Sequence, residues 1–337
     1  MTETAADTWE QTRLLVSGPT LAALDRLDPP TRLACGYHLG FWDAQGRPDS
    51  ATGKGVRPAL ALLSARAAGA PAEVGIPAAV ACELVHNFSL LHDDLMDGDV
   101  ERRHRPTVWS TFGESAAILG GDALLALANE IIAEAPGPTT PWAVRCLNAT
   151  TRRLVAGQAA DLQFESRTDV GLEECVEMAG DKTGALLACA ASLGAVLADA
   201  PPALALGLAD YGHHLGLAFQ LVDDLLGIWG DPERTGKPLW SDLRSAKKSL
   251  PVVAALNSGQ PEAAELRALL TSPEALTEAD LVRAADLVVA AGGKDWAESE
   301  ADAQLAAANA SLASIDLAGD VRAELTAIAE FITARRW

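Results

Sequence analysis

The chain has few aromatic residues, few cysteines and few basic residues, and each shortage excludes a class of protein. Aromatic side chains make up 5% of the 337 residues, and alanine and leucine dominate over β-branched residues. Strands favour aromatic and β-branched residues, so the composition favours helices. The formal net charge is -20. A protein that binds nucleic acid or an anionic membrane presents clustered Lys and Arg, so we exclude a general binding surface for either partner. Any anionic ligand must therefore bind at a local cationic or metal site.

Cysteine usage predicts the compartment. The cysteines are odd in number and contain no CxxC pair, which predicts reduced, mostly buried thiols and a cytoplasmic protein. The first eleven residues are acidic and polar, without the basic-then-apolar pattern of a signal peptide. A charge, Gly or Pro interrupts each long apolar stretch. The sequence therefore predicts no integral membrane segment.

Apolar residues recur every three to four positions over residues 75–94 and 204–226, which is the period of a buried helix. Thr277, followed three residues later by Asp280, predicts a helix cap. Turns between antiparallel helices are predicted where Pro and Gly occur, at residues 134–141, 199–202 and 257–261.

No segment is long enough to be a linker between domains. We therefore expect an all-α protein with a single domain over residues 1–337, in which residues 1–20 form an N-terminal extension or a first helix.

Three aspartates, Asp93, Asp94 and Asp97, directly follow the first apolar helical segment in the run LLHDDLMDGD. On a helix the first and third lie on one face, a turn apart, where like charges are destabilising unless a cation joins them. Mg²⁺ prefers oxygen ligands, and one or two carboxylates with phosphate oxygens and water satisfy it. The pattern predicts a magnesium site. The alternative, a solvated acidic turn, is less natural after an apolar helix.

A second acidic pair, Asp223 and Asp224, occurs in FQLVDDLLGIWGD at the end of the second apolar segment, preceded by Gln220. Two such motifs are less expected by chance than one. If their helices face each other in a bundle, the carboxylates line opposite walls of one cavity, which is a recurrent way to build a metal site. We would then expect a diphosphate there, bridged by the metals.

Basic residues accompany both acidic motifs. Arginine binds phosphate through a planar pair of donors and lysine as a compact charge. Each one alone is ordinarily a solvated surface charge, but their placement in so acidic a chain predicts phosphate binding. The set comprises Lys54, Arg57, Arg102, Arg103, Lys182 with its neighbour Thr183, Lys237 and Lys247.

These residues lie in motifs through which the chain resembles the trans-isoprenyl (polyprenyl) diphosphate synthase family over nearly its whole length. The resemblance is greatest to geranylgeranyl and farnesyl diphosphate synthases. The motifs occur in the family's order: GKxxRP at 53–58, ELVHNFSLLHDDLMD at 83–97, RR with RPT at 102–107, GD at 121–122, GQxxDL at 157–162, KT at 182–183, FQLVDD at 219–224, TGK at 235–237 and DLRSAKKSLP at 242–251.

The resemblance implies a helical bundle of the isoprenoid synthase type around a central cavity, a homodimer, and several Mg²⁺ ions per site. It implies metal binding by Asp93, Asp94, Asp97, Asp223 and Asp224. It implies that the allylic diphosphate contacts Arg102, Lys182, Thr183, Gln220, Lys237 and Lys247. It implies that isopentenyl diphosphate contacts Lys54, Arg57, His86 and Arg103. The residues expected to matter most for catalysis are Asp93, Asp94, Lys182 and Lys237.

The reaction that the resemblance implies is a magnesium-dependent prenyl transfer in isoprenoid biosynthesis. Metals and cations stabilise the departing diphosphate, the double bond of isopentenyl diphosphate attacks the allylic cation, and a proton is then lost. No protein nucleophile is required.

Two positions depart from the family pattern. The second motif commonly has a third aspartate where this chain has Gly227, and a glycine commonly stands at the position of Trp240. We expect altered metal binding at that end. The remaining aspartates and lysines lead us to expect activity all the same.

Product length is predicted from the residues before Asp93. Five residues of helix rise roughly 7.5 Å, about one or two isoprene units, so bulk one turn earlier can stop a growing chain. Phe88 stands five residues before Asp93 and the small Ser89 four before, an arrangement that resembles synthases of the twenty-carbon geranylgeranyl product. Alternatively, Phe88 is packed core and Trp109 or Phe112 sets the limit. A farnesyl product is the next expectation.

Two further interpretations stay open at this point. A class I terpene cyclase uses one acidic metal motif and the same ionisation chemistry, but it needs no isopentenyl diphosphate site. A weakly active partner subunit of another prenyl synthase would explain the two departures. Activity of the purified chain distinguishes these interpretations from a synthase.

Overall fold

The computed structural model describes residues 3–49, 55–231, 239–272 and 274–333, with side chains from residue 8 onward. Two predicted substrate residues, Lys54 and Lys237, and the TGK segment lie outside the described residues. The strands found among the described residues are β1 (Glu101–Arg102) and β2 (Arg105–Pro106), which pair antiparallel as one hairpin.

The rest of the described secondary structure is helical, so the predicted all-α class is confirmed. The α-helices are α1 Glu3–Leu24, α2 Pro29–Leu39, α3 Val56–Ala67, α4 Ile76–Met96, α5 Val108–Phe112, α6 Glu114–Ala133, α7 Thr140–Glu165, α8 Leu172–Ala179, α9 Ala185–Leu197, α10 Pro202–Trp229, α11 Ser241–Arg244, α12 Leu250–Leu256, α13 Pro261–Leu270, α14 Glu278–Ala290, α15 Gly293–Ala313 and α16 Gly319–Thr333. A 3₁₀-helix spans Ala72–Gly75 and a π-helix spans Gly180–Gly184.

The helical periods and the turns expected from the sequence are confirmed. The two periodic segments lie within α4 and α10, and the three predicted turns separate α6 from α7, α9 from α10, and α12 from α13. At the start of α14, the Thr277 hydroxyl accepts the Asp280 backbone N–H at 3.3 Å, and the Asp280 carboxylate accepts the Thr277 N–H at 2.9 Å. This is the reciprocal cap that the spacing predicts.

The chain divides into two compact units. The first takes in Met1–Thr151, Leu186–Ala209 and Leu312–Ile328, and the second takes in Arg152–Ala185, Asp210–Ser311 and Ala329–Trp337. Each acidic motif belongs to one unit, the first motif to the first unit and the second motif to the second. The single domain over residues 1–337 stays a prediction.

In the first unit, α4 is the central buried helix. Its apolar residues Val80, Leu84, Val85 and Leu91 are each at most 1% exposed. The approach of α6 is close because Gly121 lacks a side chain: an added Cβ there would lie 2.2 Å from the Nε2 atom of His92. Burial on this scale contributes about 1.5–3 kcal/mol per large side chain and fixes where the acidic end of α4 lies.

In the second unit, α10 is the helix that carries the acidic motif and packs into the core. Its buried leucines and valine pack with residues of α8, α12 and α15 in one core cluster. Toward its end, Ile228 packs with Leu281 and Val288 of α14 in a second cluster. The two clusters pack along α10 on either side of Asp223 and Asp224 in the sequence, so the position of these aspartates is determined by the core.

Two helical segments are long and apolar enough to cross a membrane by length and composition, Ala72–Met96 and Glu114–Ala133. In the first, 67% of an apolar stretch of 18 residues is buried in the protein, and in the second 39%. A core helix passes the same test, so these segments are weak evidence for a membrane span.

Candidate active site

The first acidic motif lies at the C-terminal end of α4. Asp97 follows the last helical residue, and its N–H donates to the Asp93 carbonyl at 2.8 Å, so these two aspartates are one turn apart as predicted. Asp93 is half-buried and Asp97 is exposed. The C-terminus of a helix carries partial negative charge, so carboxylates here are unfavourable until a cation binds.

The Asp94 side chain is bound by another residue of the same chain, Arg102. It is 1% exposed, and its Oδ1 atom accepts from the Nε of Arg102 at 2.6 Å. Its Oδ2 atom is buried without a hydrogen-bond partner among the described residues. Burial raises the pKa of Asp94 to about 6, although Arg102 opposes the shift. Arg102, predicted to contact diphosphate, therefore forms an ion pair with a predicted metal ligand.

Arg103 occupies the turn of the β1–β2 hairpin. Arg103 has φ 53° and His104 has φ 59°, both in the left-handed region. A two-residue hairpin turn with two positive φ values ordinarily selects Asn, Asp or Gly. The backbone strain costs roughly 1–3 kcal/mol per residue, and such strain is concentrated at functional sites. The turn determines the backbone position from which the Arg103 side chain extends.

Three of the four residues predicted to bind isopentenyl diphosphate are near one another in the first unit: Arg57, His86 and Arg103. Burial lowers the pKa of Arg57, while the neighbouring carboxylate of Glu83 opposes the shift. Burial, together with Arg57 and Arg103, lowers the pKa of His86 well below its ordinary value. His86 is therefore neutral at pH 7. The fourth residue, Lys54, is outside the described residues.

Sequence reasoning missed two residues here, Glu83 and His38. Glu83 is the first residue of the motif ELVHNFSLLHDDLMD, which was its only signal in the sequence; in the structure its carboxylate lies near Arg57. His38 carries no sequence signal. Burial and the positive charges of three arginines lower its pKa to about 3, and its Nε2 has no partner among the described residues. His38 lines a small cavity beside Asp94 and Arg102.

Phe88 and Ser89, predicted to set product length, are both buried, at 6% and 7% exposure. The Ser89 hydroxyl donates to the carbonyl of His86 at 2.8 Å. The Phe88 ring meets the His92 ring edge to face, with centroids 5.2 Å apart. Phe88 is therefore buried and packed against His92 on α4, about one turn before the first aspartates.

The two alternative residues for limiting product length have different neighbours. Trp109 donates from Nε1 to the carbonyl of Asp99 at 2.7 Å. The Phe112 ring meets the ring of Tyr37 at 5.3 Å. Phe112 thus packs against α2, whereas Phe88 lies on α4 itself.

In the second unit, Asp223 is half-buried and Asp224 is buried. Asp224 accepts from the side-chain amide of Gln220 at 2.8 Å and from the backbone N–H of Leu250 at 2.9 Å. Burial raises the pKa of Asp224, and the like charge of Asp242 adds to the shift. In both motifs, then, the second aspartate is held by protein donors and the first is more exposed.

Lys182 and Thr183 lie in the π-helix. Such an extra residue in a helical turn is frequent at functional sites. The Lys182 Nζ is 2.6 Å from Oδ2 of Asp161. The Thr183 hydroxyl donates to Oε1 of Gln220 at 2.7 Å, and Gln220 in turn donates to Asp224. The structure thus brings three predicted diphosphate residues together.

Lys247 adds a cation to this group of carboxylates. Burial by itself would lower its pKa, but the carboxylates of Asp224, Asp242, Asp161 and Asp223 together raise it above the ordinary range. Lys247 is therefore charged at pH 7. The sequence indicates no individual role for Asp161 or Asp242; their only signal is their place in the motifs GQxxDL and DLRSAKKSLP.

The Gly227 departure has a structural counterpart. A Cβ added at Gly227 would lie 2.5 Å from Cγ and from both carboxylate oxygens of Asp242. The Asp242 carboxylate therefore occupies the space that a side chain at position 227 would fill. Ser241 keeps α11 there by donating from its hydroxyl to the Gly227 carbonyl at 3.0 Å.

The Trp240 departure is also explained in part. Trp240 has φ 58° and ψ 31°, the left-handed region in which glycine is favoured. The family's glycine suits this backbone, and tryptophan adopts it at a cost. Its side chain packs against the core cluster that contains Leu243 and Leu281, which offsets part of that cost.

Restoring the family's third aspartate by Gly227→Asp is expected to destabilise this chain. The new side chain overlaps the Asp242 carboxylate; overpacking costs roughly 1–3 kcal/mol, and like-charge repulsion adds to it. Urea unfolding measures the loss. The matched double variant, Gly227→Asp with Asp242→Gly, should recover part of it, and a single variant as stable as the parent would contradict the overlap.

Arg103→Asn is expected to separate binding from stability. Asparagine tolerates the left-handed backbone, so the free energy of unfolding should stay the same or rise by up to about 1 kcal/mol. The Michaelis constant for isopentenyl diphosphate should rise at least about tenfold through loss of a charge-assisted contact. His104→Asn, in the same turn, is the control and should leave that constant unchanged. Equal constants for the two variants would contradict the binding role.

The donors in both units suit Mg²⁺ and phosphate. Carboxylate oxygens are the hard ligands that Mg²⁺ takes, usually one or two at a time with water and phosphate oxygens completing the shell. In the described ranges, no group of three or more His, Cys, Asp or Glu side chains is arranged to hold a metal ion. Basic groups lie beside the aspartates in each unit.

An all-α enzyme that handles diphosphates with a divalent metal is the class that these groups define. The sequence matches the polyprenyl synthetase family over residues 49–288. The chain belongs to this family, and it is a trans-prenyl diphosphate synthase. The predicted family resemblance is thereby confirmed.

Relatives and solved structures support the assignment. A (2E,6E)-farnesyl diphosphate synthase of Mycobacterium tuberculosis is 49% identical over 323 residues, covering 94% of this chain and 90% of that protein. A geranylgeranyl diphosphate synthase of the same species is 46% identical over 298 residues, covering 88% and 85%. The crystal structure of a polyprenyl synthetase from Streptomyces coelicolor has a TM-score of 0.93 and 52% identity, covering 97% of this chain and 99% of that one.

Proposed function

We propose that this synthase condenses isopentenyl diphosphate with allylic diphosphates up to the twenty-carbon geranylgeranyl product. The observation that carries the product length is the buried Phe88, fixed against His92 one turn before the aspartates of α4. The small Ser89 beside it leaves room that a second aromatic would remove. A farnesyl product is the alternative, and relatives with each of these names are similar to this chain.

We further propose that several Mg²⁺ ions bind at Asp93, Asp97 and Asp223. Within each unit, the neighbouring aspartate, Asp94 or Asp224, would contribute charge to the metal site while it holds Arg102 or Gln220 in place. Bound Mg²⁺ supplies positive charge to the diphosphate oxygens and so favours departure of the diphosphate.

In this proposal, the basic and polar groups of the second unit bind the allylic diphosphate. Lys182 and Lys247 supply charge, and Thr183 and Gln220 supply hydrogen bonds from positions that the network with Asp224 fixes. Lys237 and Arg102 complete the proposed set. These groups stabilise the charge that develops on the leaving diphosphate.

The isopentenyl diphosphate is proposed to bind at Arg57, His86, Arg103 and Lys54. A neutral His86 can donate one hydrogen bond to a diphosphate without adding a charge among the arginines. The double bond of this substrate attacks the allylic cation, a new carbon–carbon bond forms, and a proton leaves the adjacent carbon. The released diphosphate is the proposed acceptor of that proton.

Binding of inorganic diphosphate tests the metal proposal without turnover. Calorimetry on the purified protein should show binding in Mg²⁺ and at least about tenfold weaker binding in its absence, because bound Mg²⁺ would supply positive charge that offsets the repulsion between the carboxylates and the diphosphate. Lys182→Gln should weaken binding in Mg²⁺. Metal-independent binding of equal strength would contradict the proposal.

We propose a homodimer as the assembly. The supporting observation is that large apolar side chains are exposed on α6 and α7, where Ile118, Leu119 and Trp142 are 45%, 60% and 58% exposed. The two helices are joined on the first unit by a hydrogen bond from Asn148 to Asn129 at 2.8 Å. We propose that the adjacent Ile118 and Leu119 of α6 belong to the apolar patch through which two copies associate.

Leu119→Asp is expected to shift the dimer toward monomer, because a charge in an apolar interface core is costly to desolvate. Sedimentation equilibrium should show the dissociation constant rise at least about 100-fold. Leu206→Asp, at a 65% exposed leucine of α10, is the matched control and should leave the assembly unchanged. Identical behaviour of the two variants would contradict this interface.

A cytoplasmic location is also proposed. Each of the five cysteines is an unpaired thiol, and all but the half-buried Cys146 are buried. Reduced, buried thiols are usual for proteins of a reducing compartment.

A further inference from the structure

The π-helix at Gly180–Gly184 contains the two residues, Lys182 and Thr183, that the proposed function places on the allylic diphosphate. A π-turn holds one more residue than a regular turn and is rarely stable without support from its neighbours. The residues that pack against this turn therefore determine the backbone positions of Lys182 and Thr183.

One support comes from α7. A Cβ added at Gly157 would lie 2.4 Å from the backbone nitrogen of Lys182 and 2.8 Å from its Cα. On the same side, Arg153 forms an ion pair with Asp181, with Nε and Oδ1 2.7 Å apart. The backbone of α7 thus touches the π-turn directly.

The other support comes from α10 and involves His213. An added Cβ at Gly184 would lie 2.9 Å from the Nδ1 of His213, and one at Gly180 would lie 3.2 Å from its Cε1. The imidazole thus covers both glycines that bound the π-helix. Without either glycine, the ring and the turn could not keep this distance.

His213 and Gln220 are seven residues apart on α10, which places them on one face of the helix. Gln220 accepts from the Thr183 hydroxyl at 2.7 Å. The same face of α10 therefore contacts the π-turn twice, once through the ring on its two glycines and once through the amide on its threonine. A shift of the His213 ring would therefore displace Lys182 and Thr183.

We propose that His213 is a positioning residue for the allylic diphosphate: its imidazole ring, packed on Gly180 and Gly184, holds the π-turn so that Lys182 and Thr183 meet the diphosphate. This inference rests on the proposed binding role of Lys182 and Thr183. Burial lowers the pKa of His213, with His214 and Arg153 adding to the shift, so the ring acts uncharged near pH 7. The ring contributes through its packing on Gly180 and Gly184, not through a charge.

Steady-state kinetics of the full chain with each substrate varied in turn tests the proposal. His213→Ala should raise the Michaelis constant for the allylic diphosphate about tenfold or more, and leave that for isopentenyl diphosphate within about twofold. His213→Phe, which keeps a flat ring, should recover most of the loss. His214→Ala is the matched control, because the neighbouring ring bonds Gln304 at 2.7 Å instead, and it should leave both constants unchanged.

Gly184→Ala gives a second test that does not depend on the folding of His213→Ala, and a double-variant cycle adds a third where both variants fold. Gly184→Ala puts a methyl group into the ring's space and should raise the same constant. Combined with His213→Ala, that methyl group fills the vacated space, so the combined effect should be smaller than the two single effects multiplied together.

The outcomes separate the inference from the proposed function. If Lys182→Gln raises the allylic constant but His213→Ala lowers only the melting temperature, the positioning role is wrong and the binding role stands. If Lys182→Gln has no effect on that constant, the binding role itself fails, and the positioning role fails with it. Equal increases for both substrates after His213→Ala would also overturn the positioning role.

Discussion

Replacement of Phe88 by alanine is expected to move the product beyond twenty carbons. The ring stands five residues before Asp93 on α4, which corresponds to roughly 7.5 Å along the helix and about one or two isoprene units. It is buried and rests against His92, and we propose that this ring is the wall that a chain growing past the aspartates meets. Truncation to a methyl group opens that wall for at least one further unit. Mass spectrometry of the products gives the length directly.

The truncation also removes core packing, so the variant requires a check of its folding. A phenylalanine-to-alanine change in a core costs roughly 3–5 kcal/mol. Circular dichroism and the melting temperature determine whether the helices persist. Phe112→Ala is the matched control, because it removes an aromatic ring that packs on Tyr37 of α2. If a folded Phe88→Ala variant gives an unchanged distribution while Phe112→Ala lengthens it, Phe112 sets the limit.

Loss of nearly all turnover is expected from Asp93→Ala. The aspartate is half-buried at the C-terminal end of α4, one turn before Asp97, and it is proposed to hold Mg²⁺ against the diphosphate. Removal of one preorganised group that stabilises developing charge costs about 10²–10³-fold, and loss of a metal ligand should reach the upper end of this range or beyond. Single-turnover assays with an allylic diphosphate measure the chemical step.

The fold should survive this substitution. A negative charge near a helix C-terminus is unfavourable, so alanine there should leave stability unchanged or slightly increased. Asp25→Ala is the control: Asp25 forms an exposed ion pair with Arg32 at 2.7 Å, and its loss should not change turnover. Near-normal turnover of a folded Asp93→Ala protein would be incompatible with the metal assignment.

The sequence predicted the local features of the fold well. The apolar period predicted α4 and α10, the Pro- and Gly-containing segments predicted the turns, and Thr277 with Asp280 predicted a cap. Each of these depends on residues within one or two turns of helix, whose relation is fixed by helical geometry. The family motifs then placed the candidate residues, most of which the structure shows near others of the set within one unit.

What the sequence did not predict depends on pairings between distant segments. The ion pair of Lys182 with Asp161, the carboxylate of Asp242 at Gly227 and the ring of His213 on the π-turn all follow from core packing. A π-helix itself has no compositional signal, because it differs from an α-helix only in its hydrogen-bond register. The partner of Asp94 likewise follows from the hairpin that carries Arg102.

The most direct test of product length is incubation of the purified chain with Mg²⁺, isopentenyl diphosphate and farnesyl diphosphate as the sole primer, with products resolved by mass. The proposed function predicts a single elongation to geranylgeranyl diphosphate. If farnesyl diphosphate remains unextended while dimethylallyl and geranyl diphosphates are converted to farnesyl diphosphate, Phe88 stops the chain one unit earlier and the proposed product is contradicted.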